Sequence, residues 1–365
     1  MKICELVSCI EAFAPLAYAE SYDNPGLIAG DPDMDARGVL VTVDITEKVI
    51  EDALNGGENL IISHHPLIIE GLKKINGKTA TERCIIKAIK NDIALYAAHT
   101  NLDKVHEGVS YSMCRKLGLE RTEIMKPSAG GLRKLVTYVP ISHAEKVRLA
   151  LFDAGAGHIG DYDMCSFNLD GNGTFRGSED TSPFAGKKGA YHTEPETRIE
   201  TIFPDYGEKR IINALIKAHP YEEVAYDIYR LENTHQHTGF GMTGYCIQPY
   251  SQKDFLNFVK SVFGLKVIRH TACNGKKIKK VGVCGGSGIF LLNDAIRSGC
   301  DIFITGDVKY HQFFDAENKI LIADIGHYES EKFSVEIIYE LLIKNFPKFA
   351  VRLSKVITNP INYFQ

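Results

Sequence analysis

The sequence lacks three features that would point to common classes of protein. No apolar stretch in the 365 residues approaches the roughly 20 residues that a membrane-spanning helix needs. None of the nine cysteines forms a Cys-x-x-Cys pair, which excludes a zinc ribbon and a thioredoxin-type motif. No low-complexity tract is present, and the proportions of 44% apolar and 24% charged residues are typical of a folded soluble chain.

The sequence also lacks a strong excess of charge. The formal net charge of −4 gives no overall attraction to nucleic acid or to an anionic membrane. Glu5 stands where a secretory signal peptide has its apolar core, so we expect no signal peptide. Cysteines such as Cys284 lie in strand-like apolar runs and are expected to be reduced thiols. We therefore expect a cytoplasmic protein without a membrane partner, and the charge argues only mildly against a nucleic-acid partner, since a local basic patch is compatible with it.

Two stretches of the chain alternate strand and helix patterns. Residues 1–126 contain short apolar runs, at 38–44, 60–63 and 93–98, separated by helical patterns, and the same alternation returns in the last 90 residues or so. Apolar runs of this length between helices indicate parallel strands that are covered on both faces. We predict one α/β domain, of mostly parallel sheets covered by helices, made of residues 1–126 and 236–365.

The middle of the chain, residues 127–235, has a different pattern. Its predicted elements follow the order β-α-β-β-α-β, from a strand at 134–139 to a strand at 223–229. This order is that of an α+β ferredoxin-like fold. The polar, glycine-rich residues 171–195 are predicted to form a loop between the second and third strands. The α/β domain is therefore predicted to be interrupted by an inserted ferredoxin-like domain.

Polar side chains follow four predicted strands of the α/β domain. Because ligands bind at the carboxyl ends of strands in open α/β sheets, we expect these side chains to converge. His327 and Glu331 are four residues apart, which places both on one face of a helix. The polar residues at the four strand ends are His64, His65, His99, Asp103, Asp307, Asp324, His327 and Glu331.

The donors at these strand ends suit a metal centre. Three imidazoles and two carboxylates favour zinc, iron or manganese over calcium, which prefers oxygen ligands. A carboxylate such as Asp103 or Glu331 can bridge two ions. For any one position, a hydrogen-bonded polar residue or a solvated helix face is the simpler interpretation. The occurrence of such residues at four equivalent strand ends favours a metal site. The proposed ligands leave open positions for water and substrate, as in a catalytic site.

Two neighbouring features each have two interpretations. The glycine-rich turn between a strand and a helix consists of Gly285, Gly286, Ser287 and Gly288. Free N–H groups there favour anions, so the turn either binds a substrate phosphate or is only a tight connection. It is not a P-loop, because the Gly-Lys-Ser/Thr ending is absent. His311 is a candidate for proton transfer, and Asp307 alternatively caps the helix that follows it.

Together these residues carry a family likeness. The chain resembles the NGG-one-interacting-factor-three-like family, whose members are also known as GTP cyclohydrolase 1 type 2 homologues. The likeness covers nearly the whole chain, and the insertion resembles that of the longer bacterial members. One departure is the absence of tryptophan, since many relatives carry it where Tyr22 stands. The matching segments are 22–27, 63–66, 99–103, 155–162, 173–176, 219–227 and 305–307, together with His327 and Glu331.

The resemblance implies a site with two divalent ions per subunit. The implied metal ligands are His64, His65, Asp103, His327 and Glu331. The resemblance also implies a toroidal homohexamer and a PII/CutA-like inserted domain. If the cyclohydrolase name describes the activity, a metal-activated water attacks the imidazole-ring carbon of GTP, and His99 or His311 transfers protons. The alternatives are another metal-dependent hydrolase, a metal chaperone or sensor, or a regulatory interaction protein without turnover.

Overall fold

Short strands and helices alternate along the chain in the computed structural model, which describes residues 1–364 apart from the side chain of residue 236. The strands, in chain order, are β1 (Gly26–Ala29), β2 (Val39–Thr42), β3 (Leu60–Ser63), β4 (Ala94–Ala97), β5 (Glu120–Ser128), β6 (Leu132–Pro140), β7 (Phe167–Phe175), β8 (His192–Pro204), β9 (Tyr226–Leu231), β10 (His235–Tyr250), β11 (Arg269–His270), β12 (Ile278–Val283), β13 (Ile302–Thr305), β14 (Leu321–Asp324) and β15 (Val351–Leu353). The α-helices are α1 (Ile3–Phe13), α2 (Glu47–Gly56), α3 (Ala80–Lys90), α4 (Thr100–Lys104), α5 (Val109–Lys116), α6 (Ala144–Asp153), α7 (Glu208–Ala218), α8 (Gln252–Val262), α9 (Leu292–Arg297), α10 (His327–Glu331) and α11 (Ser334–Asn345).

These elements belong to two compact units. The first comprises Met1–Lys126 together with the chain from Thr238 onward, and the second comprises Pro127–His237. The mixed α/β class predicted from the sequence is confirmed. None of the helices within residues 1–364 has both the length and the apolar character needed to span a bilayer.

The first sheet of the α/β unit has the strand order β1-β4-β3-β2-β15. β15, β2, β3 and β4 run parallel, whereas β1 at the edge is antiparallel to β4. Every residue of β2, β3 and β4 is buried, because α1 and α11 cover one face of the sheet and α2 and α3 cover the other. Removing this apolar surface from water is the main stabilising contribution of such a layer.

The second sheet of the same unit has the order β11-β14-β13-β12-β10-β5. Its centre, β12-β13-β14, is parallel, whereas β10 is antiparallel to β12 and β11 is antiparallel to β14. Helices α5 and α8 pack on one face, and the segment that contains α9 packs on the other. Both sheets therefore present carboxyl ends of buried parallel strands, which is where the polar residues follow in the sequence.

The second unit, Pro127–His237, has the element order β6-α6-β7-β8-α7-β9 and the sheet order β7-β8-β6-β9. All its strand pairs are antiparallel. Helices α6 and α7 bury one face of this sheet through residues such as Val147, Leu151, Ile211 and Leu215. The opposite face of the sheet carries the alternate residues of each strand.

Two sequence predictions of local structure are wrong. The predicted loop 171–195 is shorter, at 176–191, because β7 and β8 pair as far as Phe175 and His192. Glycine and polar residues are compatible with this hairpin, since one of its faces has no helix over it. The pattern of residues 329–344 predicts one long closing helix, but the structure has two helices, with α10 ending at Glu331 and α11 beginning at Ser334.

Candidate metal centre

The candidate ligands follow the carboxyl ends of strands in both sheets of the α/β unit. The backbone N–H groups of His64 and His65 continue the pairing of β3 with β2, at N···O distances of 3.1 and 2.9 Å. Asp103 lies in α4, which begins three residues after β4. His327 and Glu331 are the first and last residues of α10, which follows β14. The parallel pairing of the strands thus fixes the backbone positions of the candidate ligands.

The five predicted ligands meet at one place. Glu331 Oε2 lies 2.8 Å from His65 Nε2 and 3.0 Å from His327 Nε2, and the two ring nitrogens are 3.3 Å apart. His64 Nε2 lies 3.7 Å from the same Glu331 oxygen and 3.8 Å from Asp103 Oδ1. Two groups of donors therefore share the Glu331 carboxylate.

The chemistry of this group fits a divalent ion. The donor atoms of His64, His65 and Glu331 all lie within 4.8 Å of one another. His64 Nε2 and Asp103 Oδ1 are buried and have no hydrogen-bond partner among the described residues. A buried polar atom without a partner is costly, and a metal ion would be a partner for both atoms. Nitrogen and carboxylate donors together suit zinc, iron or manganese.

Each ligating ring is held through its other nitrogen. The Nδ1–H of His64 donates to the carbonyl oxygen of Ala98 at 2.8 Å. The Nδ1–H of His65 donates to Asp44 at 2.7 Å, and that of His327 donates to Asp307 at 2.6 Å. Acceptors of this kind fix the proton on Nδ1, which directs the Nε2 atom toward the metal.

Without a metal, the imidazoles and carboxylates neutralise one another. Burial lowers the pKa of His65, but its hydrogen bonds to Asp44 and Glu331 outweigh burial and raise it to about 10. The hydrogen bond to Glu331 raises the pKa of His327 to about 9, against the effect of burial and with help from Asp307. Burial raises the pKa of Glu331, but its hydrogen bonds to the histidines hold it well below its usual range.

The pKa of Asp103 is shifted in the opposite direction to that of Glu331. Burial is the main cause that raises the pKa of Asp103, and the neighbouring Glu331 carboxylate raises it further, while His64 lowers it. Burial and the two carboxylates also raise the pKa of the Cys284 thiol, so this cysteine stays protonated beside the centre. A bound cation would remove the penalty that keeps Asp103 from ionising.

His99 lies beside the five ligands. Its ring centroid is 5.5 Å from that of His64 and 5.4 Å from that of His65. The Nδ1–H of His99 donates to Asp23 at 2.7 Å. Burial raises the pKa of Asp23, but hydrogen bonds from His99 and Thr100 outweigh burial and lower it strongly, so the carboxylate stays ionised. This hydrogen bond holds the His99 ring beside the five residues.

His311 is not brought into this group. It is exposed on the 3-10 segment Tyr310–Ala316, where its ring packs against Tyr310 at a centroid distance of 5.1 Å. Asp307 contributes to the centre instead, because its carboxylate contacts the Nδ1 atom of His327. The prediction that Asp307 caps the following helix is also wrong, since Lys309 occupies the N-cap position.

The glycine-rich turn 285–288 has a structural role at the centre. The N–H of Gly286 donates to Ser330 Oγ and the N–H of Gly288 donates to Thr305 Oγ1, both at 2.9 Å. Ser287 is exposed. These contacts use two of the N–H groups that a phosphate would need, which favours the tight-connection interpretation of the turn. The turn also passes close to Glu331, since a Cβ on Gly286 would lie 2.1 Å from Glu331 Oε1.

Sequence reasoning missed two carboxylates that support the histidines, Asp44 and Asp23. Asp44 follows β2 at the same sheet edge as His65, so the rule that identified the ligands applies to it as well. Asp23 lies in the loop before β1, far in sequence from His99, and only the tertiary fold brings it there.

Loss of a ligand should remove metal. We expect His65→Ala and Glu331→Ala to lose most of the bound metal, because each deletes a donor from the central group. His270→Ala is the matched control, since His270 is exposed on β11. Elemental analysis of the purified proteins measures the effect, and unchanged metal content in both ligand variants would contradict the assignment.

A methyl group at Gly286 should displace Glu331. Gly286 has φ +59°, and the added Cβ of Gly286→Ala would collide with the Glu331 carboxylate. Gly299→Ala is the control, because Gly299 has φ +71° with open space around its Cβ position. Both variants bear a similar backbone cost of about 1–2 kcal/mol in the free energy of unfolding. Elemental analysis should show metal loss in Gly286→Ala alone. Equal metal content in the two variants would contradict the proposed collision with Glu331.

Metal binding should release protons at neutral pH. The pKa values of about 10 for His65 and about 9 for His327 mean that both rings are protonated at pH 7 in the metal-free protein. A metal ion needs the neutral rings, so binding to both should release about two protons and tighten as pH rises from 6 to 8. Calorimetric titrations in buffers of different ionisation enthalpy measure this release. Heats that do not depend on the buffer would show that no proton leaves.

Comparison with curated relatives gives full-length matches. The chain is 40% identical over 365 residues to the GTP cyclohydrolase 1 type 2 homolog of Bacillus subtilis, covering 98% of each chain. It is 41% identical over 332 residues to the protein of the same name from Halalkalibacterium halodurans, covering 90% of this chain and 89% of the relative.

Solved structures and a family model agree with these matches. A Bacillus cereus protein related to NIF3 superposes with a TM-score of 0.87 at 38% identity, covering 100% of this chain and 99% of the other. The Staphylococcus aureus protein SA1388 gives a TM-score of 0.79 at 30% identity with the same coverage. The family model described as Duf34/NIF3 (NGG1p interacting factor 3) matches residues 1–360. The chain with this group of histidines and carboxylates therefore belongs to the Duf34/NIF3 family.

Proposed function

We propose that the protein is a metal-dependent hydrolase whose centre holds two divalent ions. The observation that carries the proposal is that Glu331 Oε2 lies in two donor groups at once, with His65 and His327 on one side and with His64 and Asp103 on the other. A carboxylate shared in this way is suited to bridging two ions. The five donors fit zinc, iron or manganese.

The histidine side chains of the protein would bind the metal ions with donor atoms that are already oriented. His64, His65 and His327 offer Nε2 atoms whose direction is fixed by acceptors at Nδ1. When bound, a divalent ion at such donors lowers the pKa of a coordinated water from ~15.7 toward ~7. The burial of His64 and Glu331 keeps bulk water from the inner side of the group, which strengthens electrostatic interactions there.

His99 is the residue that we propose for proton transfer. Its ring lies within 5.5 Å of the His64 and His65 rings, measured between centroids, and Asp23 fixes its orientation. The hydrogen bond from Nδ1 to Asp23 leaves the His99 Nε2 atom to exchange a proton with the substrate, as in a catalytic histidine held by a carboxylate. His311, the other candidate from the sequence, is exposed and packs on Tyr310.

The substrate that we propose is a nucleotide. The curated relatives carry the name GTP cyclohydrolase 1 type 2 homolog, and this name supports a purine nucleotide. For GTP, one water adds at the ring carbon between the two nitrogens and opens the ring to a formamide, and a second water breaks the remaining C–N bond and releases formate. This carbon is the electrophile, and a proton-transfer residue is needed for the departing nitrogen.

Incubation of the metal-loaded protein with GTP tests the proposal. We expect formate to accumulate with the wild-type protein and with His270→Ala, but not with Glu331→Ala. His99→Ala should keep its metal and lose roughly 10²–10⁴-fold in rate, as expected for removal of a general acid or base. If the fully loaded wild-type protein yields no formate, GTP ring opening is wrong. Metal that exchanges readily in dialysis would then favour a chaperone or sensor role.

The toroidal homohexamer and the cytoplasmic location are predictions of the sequence, and we retain both as proposals. Sedimentation of the metal-loaded protein should give six times the mass of one chain. A monomer or dimer at all protein concentrations would contradict the hexamer.

A further inference from the structure

The inserted unit, Pro127–His237, contains a cavity that is separate from the metal centre. Its volume is about 620 Å³, within the range of about 300–1,000 Å³ that is typical of small-molecule sites. Its floor is the sheet face opposite α6 and α7, where Tyr138 on β6, Leu169 on β7 and Arg198 on β8 lie in one cross-strand row. None of the five candidate metal ligands lines this cavity.

The cover of the cavity comes from two segments of the same unit. Residues 177–184 lie on one side, and residues 221–225 lie on the other. The backbone N–H of Ser182 donates to Glu222 at 2.9 Å, which ties the first segment to the second. The walls of this half-open cavity are thus held together by contacts within the unit itself.

Aromatic rings form much of the wall. Tyr221 lies between Phe175 and Phe184, at ring-centroid distances of 5.9 and 6.2 Å. Tyr138 adds a fourth ring from the floor. These rings are tilted against one another at interplanar angles of 62° and 48°, so they form one aromatic wall, and such a surface favours a ligand with a flat ring system.

A carboxylate lies among these rings. Glu196 is only 7% exposed, and the Tyr221 hydroxyl donates to its Oε1 at 2.7 Å. Burial and this carboxylate raise the pKa of Tyr221, so its hydroxyl remains a donor. Glu196 fits because residue 173 is glycine, since a Cβ there would lie 2.0 Å from Glu196 Oε2. The cavity therefore has a positioned acceptor for ligand N–H groups.

Arg198 is a donor on the same strand as this acceptor. Arg198 is two residues along β8 from Glu196, so both side chains project from the same face of the sheet. One nitrogen of its guanidinium, Nη2, pairs with Glu200 at 2.8 Å. Its Nε is buried and has no hydrogen-bond partner among the described residues. Leaving this N–H without an acceptor is unfavourable, so a ligand acceptor would stabilise the site.

We propose that this cavity binds a purine nucleoside or nucleotide through its base. A purine is flat and has a ring edge with a donor next to an acceptor, which Glu196 and Arg198 complement. A simple cation would face Arg198, and a simple anion would face Glu196. The cavity has room for a two-ring base with its sugar. The inference uses none of the metal ligands and is independent of the proposed hydrolase activity.

An oxopurine such as inosine and an aminopurine such as adenosine carry the donor and the acceptor of this edge in opposite order. These two nucleosides are therefore the probes. Purine riboside, which has no N–H on that edge, is the control ligand. Calorimetric titration of the full-length protein should detect at least one of the two nucleosides, bound at least tenfold more tightly than purine riboside. Whichever of the two binds more tightly identifies the order of the edge.

Matched variants test the residues. Glu196→Gln keeps an acceptor for Tyr221 but replaces the second carboxylate oxygen with an NH₂ group, and should weaken binding roughly tenfold or more. Glu194→Gln is its control, on the same strand and face but bonded to His192. Arg198→Gln should also weaken binding, whereas Glu200→Gln, which breaks the same ion pair and keeps the guanidinium, should not.

Several results would overturn the inference. These are a dissociation constant weaker than about 1 mM for both nucleosides, equal affinity for purine riboside, or unchanged affinity in Glu196→Gln. Loss of nucleoside binding in Glu331→Ala would assign the binding to the metal centre instead. Retained binding in Glu331→Ala, with formate production abolished, would support the cavity separately from the hydrolase proposal.

Discussion

The buried carboxylate of Glu331 is the group on which the surrounding structure depends. With its side chain only 4% exposed, it is a charge that the protein has to compensate. His65 and His327 contact it directly, and His64 lies at 3.7 Å. The absence of a side chain at Gly286 leaves the space that its other oxygen occupies. One carboxylate thus accounts for three histidines and for the glycine of a turn in another part of the chain.

The buried charge is compensated by histidines rather than by arginine or lysine, and histidine is also able to bind a metal ion. Protonated imidazoles satisfy the carboxylate in the metal-free protein, and the same nitrogen atoms become metal ligands once the protons leave. Asp44 and Asp307 support both states, because each accepts from Nδ1 whatever happens at Nε2. The carboxylates behind the histidines therefore keep the geometry of the group while its charge changes.

The sequence predicted that these side chains converge, because their positions follow from a rule about parallel sheets. His64, Asp103 and His327 each come shortly after a buried apolar strand, and such strand ends meet at sheet edges. Asp23 has no such local signal, since its role depends on a loop that approaches His99 from 76 residues away. His311 was assigned by its nearness in sequence to Asp307, but the 3-10 segment that carries it turns the ring to the surface.

The inserted unit shows a second limit of sequence reasoning. Glycine and polar residues in 171–195 predict a loop, because such residues are rare in buried strands. In the structure many of them belong to a hairpin, and Gly173 leaves space for the buried Glu196. Periodicity alone cannot identify a strand whose outward face lines a cavity, because polar residues and glycines there replace the usual alternation.

Anomalous diffraction from crystals of the metal-loaded protein, recorded at the absorption edge of the bound metal, tests the central claim most directly. We expect two separate peaks, one contacted by His65 and His327 and the other by His64 and Asp103, with Glu331 touching both. No peak at these residues, or a single peak that Glu331 does not contact, would contradict a two-ion centre bridged by this carboxylate.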